Sequence, residues 1–225
     1  ADFRLKGSAD AAADLLAQPP LRPSTGQLLD PSDVKGNVDA HVTLQLPLIA
    51  KLKRGDVTSV VQRHLTNFSL EKAFGDERLE AANLTVSNDG KITTAKGEGR
   101  IFGTQASLSL RQASGQSGEV SVQFTADDAL RAKRGFGPQS GIKGPILVTA
   151  KAPVQHLGPG DQTTVTLDLT KAAVDGLVPG SRQHAGKPAK ASFVYKPAKD
   201  GTRFEDFSLD AGPARAHVLT ASARV

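Results

Sequence analysis

In KGNVDAHVTLQLPL, residues 35–48, every even position from Val38 onward is apolar: Val38, Ala40, Val42, Leu44, Leu46 and Leu48. Asp39, His41, Thr43 and Gln45 separate them and are polar, until Pro47 breaks the run. Side chains alternate between faces along a strand, so the stretch predicts a β-strand with one apolar and one wet face. What the apolar face touches is the question that decides the fold and the function.

The same alternation recurs along the chain. DVTSVVQRHLTNFSL reads as a second strand, with a slip near Val60 and Val61 that suggests a bulge. ANLTVSNDGKITTAKGEGRIFGTQASLSL reads as a strand, an Asn-Asp-Gly turn and a long strand carrying Phe102, Ala106, Leu108 and Leu110 on one face. In GIKGPILVTAKAPV the apolar positions are Ile146, Val148, Ala150, Ala152 and Val154. TTVTLDLT, a hairpin around Lys199-Asp200-Gly201, and AGPARAHVLTASARV supply further strands. Helices are few and short. GSADAAADLLAQPP predicts one capped by Ser8 and stopped by Pro19-Pro20, and TADDALRAKRG predicts one with Thr125 as cap. SLEKAFG reads as at most a short helical turn and KAAVDGLVPG as a short helix.

These pieces fall in the same order twice. VKGNVDAHVTLQLPL matches GIKGPILVTAKAPV, HLTNFSLEKAFG matches DLTKAAVDGLVPG, and GRIFGTQASLSL matches AGPARAHVLTASA, at an offset of about 105 residues. The reading is two tandem β-repeat units, 1–112 and 113–225, in a mainly β (α+β) chain whose long antiparallel strands make a curved, repetitive sheet or groove. Shared β-rich composition without duplication is the alternative. Gly (22) and Pro (13) are abundant enough for many turns, whereas 38% apolar and 4% aromatic residues allow only a lean core of Val, Leu and Ala.

Composition narrows the function classes. The formal charge is +5, yet no Lys/Arg cluster is interleaved with aromatics, so nucleic acid is not an expected partner. The absence of Cys removes disulfides, thiolate metal sites and a Cys nucleophile. There is no Met, so residue 1 is not an initiator, and the chain reads as a piece of a longer protein. The five histidines stand singly, without metal-ligand spacing. GEGRIFG has its third glycine displaced and runs into a strand, which fails the dinucleotide-loop geometry. Asp127-Asp128 opens a helix, where acids are favourable without any catalytic role, and Glu205-Asp206 points to opposite faces of a strand. No nucleophile motif is present. The expectation is a protein that is not an enzyme and carries neither cofactor nor metal.

The apolar strand faces then carry the functional reading. In an open sheet, Val42, Leu44, Leu46, Phe102, Leu108, Val148 and Ala150 would line a surface suited to acyl chains; in a closed one they fill an ordinary core. The phrases ADLLAQPPLRP, LDPSDVKGNVDAHVTLQLPL, LTNFSLEKAFGDERLEAANLTVSNDGKITTAKGEGRIFG and GKPAKASFVYKPAKDGTRFEDFSLDAGPARA resemble the central region of AsmA-like envelope proteins, closest to the YhdP type of the wider AsmA/TamB group. That resemblance covers nearly the whole chain, but its motifs sit at turns and strand starts and include no site residues. It implies a periplasmic β-groove hung from an inner-membrane helix, with neighbouring repeats on the same long chain. It also implies a part in moving phospholipids between the inner and outer membranes and in envelope integrity. A scaffold that binds envelope or outer-membrane proteins through exposed strand edges is the alternative.

Overall fold

The computed structural model describes residues 1–18, 29–45, 58–74, 77–134, 141–153, 162–175, 182–198, 201–212 and 214–223. The described residues are mainly β with two short α-helices, and the chain divides into two compact units, Ala1–Val120 and Ser121–Val225.

The first unit runs β1 (Asp2–Ser8), α1 (Ala9–Ala17), a 3-10 turn (Pro31–Asp33), β2 (Val34–Gln45), β3 (Thr58–Phe74), β4 (Glu77–Asn88), β5 (Ile92–Ile101) and β6 (Thr104–Ala113). The six strands lie side by side in sequence order, the antiparallel meander that short connections favour. β1 alternates too: Phe3 and Leu5 share one face, Asp2, Arg4 and Lys6 the other. α1 is short and Ala-rich. Its N-cap residue is Ser8, as expected, but Ser8 makes no side-chain cap bond. The Ser8 hydroxyl instead acts on the nearby Asp10 carboxylate and lowers that group's pKa. The β4–β5 turn is the expected Asn-Asp-Gly hairpin, with Asp89 accepting from the backbone N–H groups of Lys91 and Ile92 and Gly90 at φ +82°.

The second unit runs β7 (Glu119–Ala126), α2 (Asp128–Lys133), β8 (Ile142–Lys143), β9 (Ile146–Pro153), β10 (Thr163–Asp168), β11 (Ala173–Asp175), β12 (Arg182–Gln183), β13 (Lys190–Ala198), β14 (Gly201–Ala211) and β15 (Ala214–Ala223). The unit begins within β7. Strands β7, β9, β10, β13, β14 and β15 follow one another in a sheet, and β12, β11 and β8 form a separate three-stranded one. Both units therefore run strand, helix, then five strands of the larger sheet, the second unit adding the small sheet of β8, β11 and β12.

One local device occurs in each unit. Lys35 pairs with Ser69 and Val34 with Leu70; Lys143 pairs with Ala173 and Ile142 with Val174. The following glycine, Gly36 or Gly144, adopts a positive φ (+114° and +98°), and a Cβ on it would meet the carbonyl oxygen of Asn67 at 2.6 Å or of Lys171 at 3.0 Å. Only glycine allows this backbone approach without strain, and the break lets the strand turn.

This pairing corrects the expected helical turn at SLEKAFG and the expected short helix at KAAVDGLVPG. Residues 69–74 continue β3, and Ala173–Asp175 form β11, because each segment is taken up as a strand partner by the Val-Lys-Gly or Ile-Lys-Gly segment. Gly75 and residues 176–180 lie outside the described residues. The bulge is not at Val60 and Val61, which stay in register with Thr43 and Val42; the β3–β4 register shifts between Leu65 and Phe68, where Asn67 takes φ +51°. The cap of α2 is Asp127, whose carboxylate accepts from the Leu130 N–H at 2.8 Å, while Thr125 belongs to β7.

The buried residues gather near these glycine devices. In the first unit Val34, Phe68, Leu79, Ala82, Ile101 and Ala106 are all buried, toward the end of the sheet where β2 and β4 begin and β5 turns into β6. In the second, Ile146, Leu169, Ala172, Val174, Ala189, Ala191, Leu209 and Ala211 form one cluster. Arg131 is buried beside it. Its guanidinium donates to the carbonyls of Ala126 (2.9 Å), Gly144 (2.7 Å) and Ile142 (3.3 Å) and pairs with Asp128, which accepts from the Gly144 N–H. A buried arginine saturated in this way is a structural clamp.

Candidate functional site

Register across β1–β6 sorts the first unit's side chains into two faces. One row crosses the sheet as Leu5, Ala40, Arg63, Val86, Ala95 and Leu110. The row on one side is Gly7, Val38, Leu65, Leu84, Gly97 and Leu108; on the other it is Phe3, Val42, Val61, Asn88, Thr93 and Gln112. All belong to the face that KGNVDAHVTLQLPL presents through its even positions. The opposite face carries Asp2, Arg4, Asp39, His41, Gln62, His64, Thr85, Ser87, Thr94 and Lys96.

Burial shows how well the apolar face is covered. Ala40 is buried, but Val38, Val42, Leu44, Val61, Leu65, Leu84, Val86, Ala95, Leu108 and Leu110 are only half-buried, and Phe3 and Leu5 are 40% and 51% exposed. Side chains in a closed sandwich would be fully buried. Here the fully buried residues sit mainly at one end of the sheet, and the rest of the apolar face retains access to solvent.

The anticipated lining residues are placed as follows. Val42, Leu44 and Leu108 lie on this face, half-buried. Val148 and Ala150 lie on the corresponding face of the second unit, where Val148 is in register with Leu167 and Ala150 with Val165. Phe193 follows opposite Val165, and Phe204 packs edge-on against Phe193 and Tyr195 at 5.5 and 6.1 Å. Leu46 lies outside the described residues. Phe102 is a correction: it does not sit on a long strand but in the β5–β6 turn, at φ +58° beside Gly103 at +77°. Successive positive φ values match a two-residue hairpin turn, so the chain reverses there.

The residue that sequence reading missed is Arg63. It stands in the middle row between Ala40 and Val86, with Val61 and Leu65 as its same-face neighbours along β3. Burial lowers its pKa from the ordinary arginine value. Among the described residues no carboxylate or carbonyl pairs with its guanidinium. The signal was present as a break in an apolar alternation, Val61-Gln62-Arg63-His64-Leu65.

The polar face holds a shallow depression of about 460 Å³ lined by Asp2, Arg4, Asp39, His41, Gln62 and His64. Its charges are already paired. Arg4 donates two bonds to Asp39 (2.6 and 2.5 Å), Lys6 lies 3.3 Å from the same carboxylate, and His41 Nε2 lies 2.6 Å from Asp2. The Arg4 hydrogen bond leads in holding the Asp39 carboxyl down to about 2, and the His41 bond lowers that of Asp2. Among the described residues no group of three or more His, Cys, Asp or Glu is arranged to hold a metal, and no helix is long and apolar enough to cross a membrane. No protein-family model, no curated protein and no solved structure matches this chain.

Proposed function

We propose that this chain is a non-enzymatic segment of an AsmA-like periplasmic protein, and that its apolar sheet faces hold phospholipid acyl chains in transit between the inner and outer membranes. The observation that carries this reading is the apolar face shared by the six strands of the first unit, half-buried over most of its width and exposed at β1. Five inter-strand spacings of ~4.8 Å make that face ~24 Å wide, and three rows at two residues each span ~13 Å along the strands. One leaflet of a bilayer's hydrocarbon is ~15 Å thick, so acyl chains fit across it. Each methylene withdrawn from water contributes about 0.8 kcal/mol, so covering ten yields roughly 8 kcal/mol before the cost of association. Neighbouring repeats would continue the surface.

The test is direct. Purified chain is incubated with phospholipid vesicles, separated from them and extracted, and the bound phospholipid is quantified. Retention near one lipid or more per chain, abolished by Leu84→Asp together with Val86→Asp, supports the reading. Wild-type protein that emerges lipid-free sinks it.

A scaffold role is the second reading. β1 has a single neighbour in the sheet order, and a strand edge of this kind can pair with another chain. Capture of an outer-membrane protein that survives Leu44→Asp would favour that role, and loss of the capture in that variant would count against it.

A further inference from the structure

An arginine in the middle of an apolar sheet face needs a reason. Arg63 is the only charged side chain in the three rows that cross β1–β6, and its flanking register partners are Ala40 and Val86. Desolvating a guanidinium without an anion is unfavourable, and arginine does not escape by losing its proton. The opposite face shows that this chain pairs its arginines where partners are within reach, as Arg4 does with Asp39. Among the described residues, no side-chain nitrogen or oxygen is buried without a hydrogen-bond partner, so the Arg63 guanidinium remains reachable from outside. The row beside it carries Asn88 and Thr93, polar side chains bonded to one another on the same face. Apolar side chains thus surround a cation, with a polar margin next to it.

We infer that Arg63 is the headgroup anchor of this face: its guanidinium holds the phosphate of a phospholipid whose acyl chains lie on the Leu65, Leu84 and Leu108 side, and Asn88 and Thr93, on the other side of it, meet the polar headgroup beyond the phosphate. The inference rests on the proposed lipid-carrying function and adds selectivity to it. Apolar strands alone would take any acyl chain, whereas a fixed cation favours lipids with an anionic phosphate over uncharged ones with the same tails. A guanidinium presents planar paired donors that match a phosphate, and charge-assisted bonds of this kind are the strong ones.

The experiment uses the 225-residue chain and two pyrene-labelled ligands with identical acyl chains, phosphatidylglycerol and diacylglycerol. Wild type is expected to prefer phosphatidylglycerol by about tenfold or more, the range of one charge-assisted bond. Arg63→Met, which keeps an apolar stem, should remove that preference while leaving diacylglycerol binding unchanged, and Arg63→Lys should keep part of it. A urea midpoint for Arg63→Met at or above that of wild type shows that the variant is folded. Equal preference in wild type and Arg63→Met overturns the anchor while leaving the acyl-chain surface standing. Displacement of phosphatidylglycerol by millimolar inorganic phosphate would mark a free-anion site and overturns it as well. Failure of wild type to bind either ligand removes the underlying function, and the anchor with it.

Discussion

Replacing Gly36 with alanine is the sharpest test of the fold. Gly36 has φ +114°, and an added Cβ would lie 2.6 Å from the Asn67 carbonyl oxygen, 2.7 Å from the Phe68 Cα and 2.9 Å from the Asn67 carbonyl carbon. All three are backbone atoms, so no side chain can swing aside. Holding an L-residue at positive φ costs about 1–2 kcal/mol. Forcing the neighbouring strand away costs about 1–3 kcal/mol more. The lower entropy of the unfolded alanine chain returns about 0.4–1 kcal/mol. The net loss is about 1–4.5 kcal/mol, a large part of the ~5–15 kcal/mol that holds a typical domain together. Gly7→Ala is the matched control, since nothing lies within 4 Å of its Cβ position. With no Trp in the chain, urea unfolding is followed by far-UV circular dichroism. Gly36→Ala should lower the midpoint with the slope unchanged, and Gly7→Ala should leave stability unchanged or raise it by up to ~1 kcal/mol. A Gly36→Ala protein as stable as wild type would refute the close backbone approach and the strand pairing built on it.

Two further outcomes follow from the same geometry. Arg131→Met should destabilise the second unit by about 2–3 kcal/mol in the same urea assay, because the carbonyls of Ala126, Gly144 and Ile142 lose their donor while remaining partly buried; a change under ~0.5 kcal/mol would mean the clamp is not formed. The Asp39 carboxyl, followed by NMR, should titrate near pH 2 in wild type and move back toward the ordinary aspartate value in Arg4→Gln. A depressed folded-state pKa means that this group's contribution is fully present above the unfolded aspartate pKa and is lost as pH falls through about 2. An ordinary midpoint in wild type would contradict the pair.

The strand faces were legible in the sequence because a period of two is written directly into Val38–Leu44 and Ile146–Ala152, whereas β1 (Asp2–Ser8), too short to show a period by itself, was not read from it. The Asn88-Asp89-Gly90 turn was equally legible from its own chemistry. What sequence could not supply was pairing between distant segments. SLEKAF and KAAVD carry residues with fair helix propensity, and propensity is overridden when a segment becomes the partner of a strand some thirty residues away. Phe102 failed for another reason: it shares even numbering with Ala106, Leu108 and Leu110, but the chain reverses at Phe102-Gly103, and the positive φ values reveal the turn. Arg63 shows the limit for function. In sequence Arg63 is one break in the apolar alternation of Val61 and Leu65, and register adds that Ala40 and Val86 stand on either side of it.

The most direct measurement places a photo-crosslinking amino acid at Leu84 and, in a second protein, at the adjacent Thr85, and analyses the adducts formed in cells by mass spectrometry. Leu84 sits in the middle of the apolar face and Thr85 on the opposite, polar one. The expected result is phospholipid adducts from position 84 and none from position 85. Adducts to protein alone at position 84, or equal lipid capture at both positions, would contradict a lipid-carrying face.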